Sequence, residues 1–365
     1  MGLSRKEIEI SKKELKALID NTTDDNLKKD YLFYLYQLDN LKNNEDDEKH
    51  QSYSKKIREL ERTYQDNREI FQILIDYCNS LSNEMDDIKF INDNYEKLKK
   101  EFVNFKFSKK QSIALARNFF QNLDPKFLDI VDDIINRNTL SFKKITKGYI
   151  GINYFIGGIN KNYISVKKDG DYGDYLTLVH EFGHAINNVY NPKGYYEYSF
   201  FDEFVSLFME LIALYEGKNL FNEKLLIYEN TDDLVFYFDL ANTFNTQHKI
   251  VDIMYLNQLN KFNRHFVDEV NKNLNLKKGE IKDIVDTNFY TDGNYPIGYI
   301  MALELLYIYK HNKKEALELL KELMYRLPLD NKVDEISKYL SFNVHAKDES
   351  KECIDIAKHA LKKTL

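Results

Sequence analysis

The stretch "LVHEFGHAINN", residues 178–188, holds two of the chain's eight histidines four positions apart, with a glutamate directly after the first. On a helix a four-residue step returns to the same face, so the imidazoles of His180 and His184 can reach one metal ion. Glu181 sits beside them, where its carboxylate can hold a metal-bound water and take its proton. A zinc site of this kind also needs a third protein ligand, with the fourth position left open. The candidate lies in "EYSFFDEFVSLFMELIALYEG", an apolar helix pattern closed by Gly217 that carries Glu203, Ser206 and Glu210 at i, i+3 and i+7. Three polar groups on one line of such a helix either face water or need partners, because a buried carboxylate without a counter-charge is costly. Zinc would supply that charge. Glu203 follows His184 by nineteen residues, enough for one helix to end, a loop to turn at "NPKGYYEY" and a second helix to return antiparallel. Asp202 competes by adjacency but falls off the line of Ser206 and Glu210.

The elements that must position these groups are legible around them. Asp174 is a candidate N-cap for the histidine helix, and Leu178, Phe182, Ala185 and Val189 form an apolar stripe that would bury it. Just before it, "KGYIGINYFIGG" and "NKNYISVKK" are β-rich and Gly-punctuated, which predicts two short strands flanking a loop at Gly157 and Gly158. Residues 4–110 carry apolar positions at helical spacing, among them Ile8, Leu15 and Leu18, then Leu32, Leu35 and Leu38, then Ile70, Ile73 and Ile75. The polar stretch "NNEDDEKHQSYSKK" interrupts them as a loop or helix start. A helix pair follows, the second opening with Asp124 as N-cap and Pro125 at the first helical position. After residue 174 the chain is helical to its end, broken at Asn191-Pro192, Gly217 and "YTDGNYP". The expected fold is mostly α, of the α+β class, with a small antiparallel sheet preceding the HEFGH helix. Residues 1–110 are read as an N-terminal helical region and 111–365 as the catalytic domain.

Composition narrows the function classes. The 365 residues are 43% hydrophobic, enough for a core without covalent staples. A net charge of -7 argues against a nucleic-acid binder, which needs surplus cations to displace counterions. Cys78 and Cys353 form no metal or disulfide pattern, the start "MGLSRKEIEISKKELK" has no signal-peptide core, and no run is long enough for a bilayer. A cytoplasmic protein without membrane or nucleic-acid partners is expected.

Residues 148–216 resemble the thimet oligopeptidase and oligoendopeptidase F group of zinc peptidases, through strand "NYISVKK", then "DYLTLVHEFGHAINN", then the E-x-x-S-x-x-x-E pattern of "EFVSLFME". That group uses H-E-x-G-H, with Gly183 at the matching place. The resemblance implies a zincin-type helical metallopeptidase fold, Glu203 as the third ligand of one Zn2+ ion, and Glu210 as a carboxylate orienting a ligand histidine. It also implies that tyrosine hydroxyls of "NFYTDGNYPIGYIMALELLYIYK" face the reacting carbonyl, with Tyr299 the best match and Tyr295 next. Where the family has a histidine about ten residues before the last tyrosine, this chain reads "TNFY". The tail "KVDEISKYLSFNVHAKDESKECIDIAKHALKK" is similar to the family's closing helices, so the resemblance covers roughly residues 110–365. Relatives have a much longer N-terminal half that walls a deep channel, which implies a shallower channel here or a wall from another subunit.

The implied activity is hydrolysis of internal bonds in short peptides. Zinc on two imidazoles and a carboxylate lowers the pKa of bound water to about 7, Glu181 accepts the proton and passes it to the leaving amine, and Tyr299 stabilises the developing oxyanion. An open edge of "NYISVKK" would take an extended peptide by main-chain hydrogen bonds, which makes Tyr163 and Gly158 candidate substrate contacts. The rival readings are a zinc hydrolase of another amide or of one dedicated peptide, and a non-catalytic metal-stabilised binding protein.

Overall fold

The computed structural model describes residues 3, 5–40, 52–99, 106–143, 150–191, 201, 203–219, 221–326 and 333–364. The chain opens with α1 (Arg5–Asn21), α2 (Asp25–Asn40), α3 (Tyr53–Asp66), α4 (Arg68–Ser80), α5 (Met85–Asn92) and the single turn α6 (Glu96–Lys99). Next come α7 (Lys109–Leu123), α8 (Pro125–Asn136), β1 (Leu140–Lys143), β2 (Gly151–Ile156), β3 (Lys161–Lys167) and α9 (Tyr172–Tyr190). Then follow α10 (Phe204–Glu216), α11 (Glu223–Asn257), α12 (Arg264–Leu274), α13 (Lys278–Asp286) and α14 (Phe289–Asp292). The chain closes with α15 (Asn294–His311), α16 (Lys313–Arg326), α17 (Val333–Ile336) and α18 (Ala346–Thr364). The polar loop expected at "NNEDDEKH" and most of "NPKGYYEY" lie outside the described residues.

The chain divides into two compact units, each made of two segments: residues 1–49 with 105–196, and 50–104 with 197–365. The amphipathic N-terminal helices separate according to what buries them, α1 and α2 belonging to the first unit and α3 to α6 to the second.

In the first unit, α7 starts with a capping box, Ser108 and Gln111 each satisfying the other's backbone N–H. Asp124 caps α8 by accepting from the Lys126 N–H at 2.8 Å, with Pro125 at the first position as the sequence predicts. The three strands run in the order β1-β3-β2. The β2–β3 hairpin is antiparallel as expected, with Tyr154 opposite Tyr163, and β1 adds to the other side of β3 in parallel, so the sheet is mixed. The residues of β1, "LSFK", give no strong strand signal of their own. Their pairing with β3 supplies it, and a parallel partner needs no tight turn to announce it. The consequence is that β3 is the central strand, bonded on both edges, which overturns the expectation that "NYISVKK" presents an open edge. Among the described residues the open edges of this sheet belong to β1 and β2.

The Gly157–Ile159 turn between β2 and β3 closes with Asn160 in the left-handed region, φ 45° and ψ 57°. Side chains on these glycines would collide with the first helix pair: a Cβ at Gly158 would fall 2.8 Å from Tyr34 Cδ2 and 2.9 Å from Leu15 Cδ2. Beside them Tyr163 is buried with Leu15, Leu38 and Ile156, its hydroxyl 2.9 Å from Ser11 Oγ. The structure thus places both Gly158 and Tyr163 in the packing of α1 and α2 on the hairpin.

In the second unit, Ile57 and Leu60 of α3 pack with Ile250, Val251 and Met254 of α11 and with Phe266, Val270 and Ile281. Glu304 of α15 is buried, and its Oε1 accepts from the N–H groups of His345 and Ala346 at 2.8 and 3.0 Å. A carboxylate at a helix N-terminus satisfies orphan donors and complements the dipole, so this residue ties α15 to the start of α18. Tyr77 of α4 adds a hydroxyl contact to Ser350 of α18 at 2.8 Å. Among the described residues no helix is long and apolar enough to cross a membrane.

The order of magnitude of these local terms can be checked by chemical denaturation. Asp124→Ala removes one cap and is expected to cost about 1 kcal/mol. Phe182→Ala, which empties a fully buried ring site against Phe120, is expected to cost about 3–5 kcal/mol.

Candidate metal centre

Helix α9 carries the histidines because its other side is committed to the core. Leu178, Val179, Phe182, Ala185 and Ile186 are buried, and the Phe182 ring meets the Phe120 edge at a centroid distance of 5.9 Å. The start of the helix differs by one turn from expectation. Asp171 occupies the N-cap position and Asp174 stands in the first turn, where its carboxylate accepts from the Asp169 and Gly170 N–H groups at 2.9 and 3.0 Å. Gly170, at φ +78°, makes the left-handed turn that brings those donors round. Burial pushes the Asp174 carboxyl above the usual carboxylate range, and the two backbone donors oppose that shift. At the far end Asn162 Oδ1 of β3 accepts from Asn188 of α9 at 3.2 Å and from Asn153 of β2 at 3.1 Å, which fixes the helix on the hairpin.

On this anchored helix His180 and His184 are half-buried, with ring centroids 4.9 Å apart and planes at 78°. Glu181 is buried on the side of β2. The strand runs so close that a Cβ on Gly151 would overlap Glu181 Oε1 and lie 2.6 Å from Thr177 Cγ2. Only a residue without a side chain lets β2 pass there, so Gly151 and Thr177 define the space in which the Glu181 carboxylate sits.

Glu203 stands at the position just before α10 and is 8% exposed, Ser206 is fully buried, and Glu210 is half-buried. The line of polar groups therefore does not face water. Asp202 lies outside the described residues. Helix α15 crosses the start of α10 at Gly298, where a Cβ would fall 2.9 Å from Phe204 N and 3.1 Å from Glu203 Cβ. This glycine sets the backbone from which Glu203 projects.

His180, His184 and Glu203 each offer one ligand atom, and the three atoms lie within 4.8 Å of one another. Two neutral imidazoles and one carboxylate are a donor set that suits zinc and other first-row divalent ions, with room for a non-protein ligand. The residues present fit a single metal ion.

The tyrosines are placed differently from expectation. Tyr237 of α11, not singled out by the sequence, has Asp233, Glu210, Glu203 and Tyr295 in its surroundings, and burial followed by those groups in that order drives its hydroxyl well above its ordinary pKa. Its ring lies between those of Tyr295 and Tyr299, at 6.5 and 4.6 Å. Tyr299 is 2% exposed, and the groups acting on its hydroxyl are Tyr77, Cys353, Asp233 and Glu349. Its place is the wall of a cavity among α10, α11, α15 and α18. Tyr237 escaped the sequence reading because α11 is a long helix with apolar residues all round, in which one tyrosine looks like core. At the place of the missing family histidine, Phe289 stacks on Phe71 at 4.1 Å and is buried, so this position is packing.

No protein-family model matches the chain, and no curated protein does. Solved structures do. A candidate peptidase from Chlamydophila abortus superposes with a TM-score of 0.56 at 15% identity, over 82% of this chain and 56% of that one. PZ peptidase A, solved with an inhibitor, gives 0.52 at 16% identity, over 90% and 61%. A candidate oligoendopeptidase F gives 0.53 at 13% identity, over 80% and 58%. The chain thus shares its fold with these peptidase structures, and it spans less than two thirds of the length of each of them.

Equilibrium dialysis followed by elemental analysis is expected to find one zinc ion per chain, and His180→Ala or Glu203→Ala to lose it. Gly298→Ala, which must shift the Glu203 backbone, is expected to weaken zinc binding about 10-fold, the scale of a disturbed ligand support.

Proposed function

We propose that this chain is a zinc-dependent metallopeptidase of the oligoendopeptidase type, hydrolysing internal bonds of short peptides. The observation that carries the reading is the convergence of His180, His184 and Glu203 with Glu181 on the same helix as the two histidines. A fold shared with peptidases supports it.

His180, His184 and Glu203 would hold the ion, which when bound polarises a carbonyl and makes water a nucleophile near neutral pH. Glu181 then serves as the general base and afterwards as the acid that protonates the leaving amine. Its confinement by Gly151 and Thr177 orients one carboxylate oxygen without a side-chain rearrangement during the reaction. Tyr237, on whose hydroxyl Glu210 and Glu203 act, would be the donor for the oxyanion that develops on the carbonyl, with Tyr295 beside it as the second candidate. A tyrosine whose hydroxyl stays protonated suits that part, since a phenolate could not donate.

The substrate would lie along β2, the strand that passes Glu181 and has one edge free of β3. Main-chain hydrogen bonds to such an edge tolerate many side chains and favour extended, unfolded peptides. Short peptides are therefore the expected substrates, with neither nucleic acid nor membrane as a partner.

Purified protein is expected to cleave a mixed quenched-fluorescent peptide library. Glu181→Gln should retain zinc and lose about 10²–10⁴-fold in rate. Inert wild-type protein with zinc bound would move the assignment to another amide substrate or to a binding role. Gly151→Ala should also keep its zinc and lower kcat by about 100-fold with little change in KM, because it displaces the base and not the ligands.

A further inference from the structure

The second unit contains a cavity of about 430 Å³ that the hydrolytic reading leaves unused. Four helices of the bundle form it. Its walls are aliphatic, with Leu211 and Leu214 from α10, Leu226 and Ile227 from α11, and Leu303 and Leu306 from α15. Pockets of a few hundred Å³ between helices, apolar with a few placed polar groups, are the usual form of a small-molecule site.

One polar group is aimed into this space. Tyr299 is 2% exposed and lines the cavity. No hydrogen bond to its hydroxyl is found among the described residues, and none figures among the influences on its titration. A hydroxyl that opens on a cavity and bonds to no protein group is available to a ligand, and one hydrogen bond to it adds to the ligand's affinity. Close by, Thr231 Oγ1 and Asn230 Nδ2 are already committed to the carbonyls of Ile227 and Leu226 at 2.5 and 2.7 Å. They add polarity to the lining without competing for Tyr299.

Of the charged residues in the lining, Lys310 is paired with two carboxylates, while Lys218 and Glu223 are exposed. Lys310 donates to Glu349 at 2.5 Å and to Glu352 at 2.8 Å, and its side chain also lies over the Tyr215 ring. A charged ligand head would have to break this three-residue pairing and leave one member buried without its counter-charge. A neutral head avoids that.

We infer that this cavity binds a neutral aliphatic molecule with one hydroxyl or carbonyl end, the polar end on Tyr299 and the hydrocarbon body against the leucines. The ring of Tyr299 stacks on Tyr237, so the ligand would rest on the same tyrosine that stands among Glu203, Glu210 and Tyr295.

The chain has no tryptophan, which makes a sensitive test available. Ile356 lines the cavity and is 43% exposed, so Ile356→Trp places a single fluorophore on its wall at little structural risk. Tyr215→Trp, on another wall, is the second reporter should the first melt below the wild-type protein. Titration with 1-octanol is expected to change the emission saturably, and adding Tyr299→Phe to the reporter to weaken the octanol affinity about 5-fold, as for one lost hydrogen bond. Octanoate and octylamine are expected to bind at least about 10-fold more weakly, the scale of disrupting a buried ion pair. Leu214→Phe, which puts a ring where the hydrocarbon body would lie, should weaken the titration. The inference is overturned if no saturable change occurs in either folded reporter, if the charged amphiphiles bind as well as octanol, or if Tyr299→Phe and Leu214→Phe leave the titration unaltered.

Discussion

One turn of one helix bears the chemistry. His180 and His184 can act together only while the residues between them keep an i to i+4 step, and a shift of the helix axis by a fraction of an ångström would move both imidazoles at once. The surrounding structure reads as a set of restraints on α9. Asp174 ties its first turn to the lead-in at Asp169 and Gly170, Phe182 locks its apolar side against Phe120, and Asn188 bonds to the sheet through Asn162. These restraints act at the start, the middle and the end of the helix. They leave it little freedom to rotate, which is what a preorganised metal site requires.

The same restraints explain which features were legible in the sequence. The histidine pair, the polar line Glu203, Ser206 and Glu210, and the cap at Asp124 are local patterns, fixed within a few residues, and the structure shows the histidines on α9, Ser206 and Glu210 on α10 with Glu203 at its N-cap, and Asp124 capping α8. The sheet order was not legible because β1 owes its strand conformation to β3, more than twenty residues away. That one partner changes which edges are open, and with it where an extended peptide could pair. The division into units escaped for a related reason. Helices α1 to α6 carry similar amphipathic patterns, and a pattern states that a face is buried without stating by what.

The tyrosines show the limit most clearly. In a chain with 27 of them, residue type carries little information, and the argument rested on family position alone. Tyr299 follows the family segment yet lies on the wall of the cavity in the second unit, whereas Tyr237, on a helix with no polar face, stands with the carboxylates. Burial dominates at both hydroxyls and Asp233 acts on both; what separates them is that Glu210 and Glu203 act on Tyr237, whereas Tyr77, Cys353 and Glu349 act on Tyr299. Phe289 makes the same point from the other direction, since the residue at the missing histidine's place is stacked into the core on Phe71.

What the sequence did contain, without its being readable there, is a pair of glycines that set distances. Gly151 and Gly298 are in regular elements, β2 and α15, where glycine is disfavoured and no turn asks for it. Each faces the backbone or side chain of a residue with a chemical role, Glu181 in one case and Glu203 in the other. A glycine inside a helix, as Gly298 is, costs roughly 0.5–1 kcal/mol against alanine. The close approach of α15 to Glu203, and of β2 to Glu181, is what glycine allows at these two contacts. The proposed base and the proposed carboxylate ligand are thus held by the same device, an element that can come close because it has nothing to put in between.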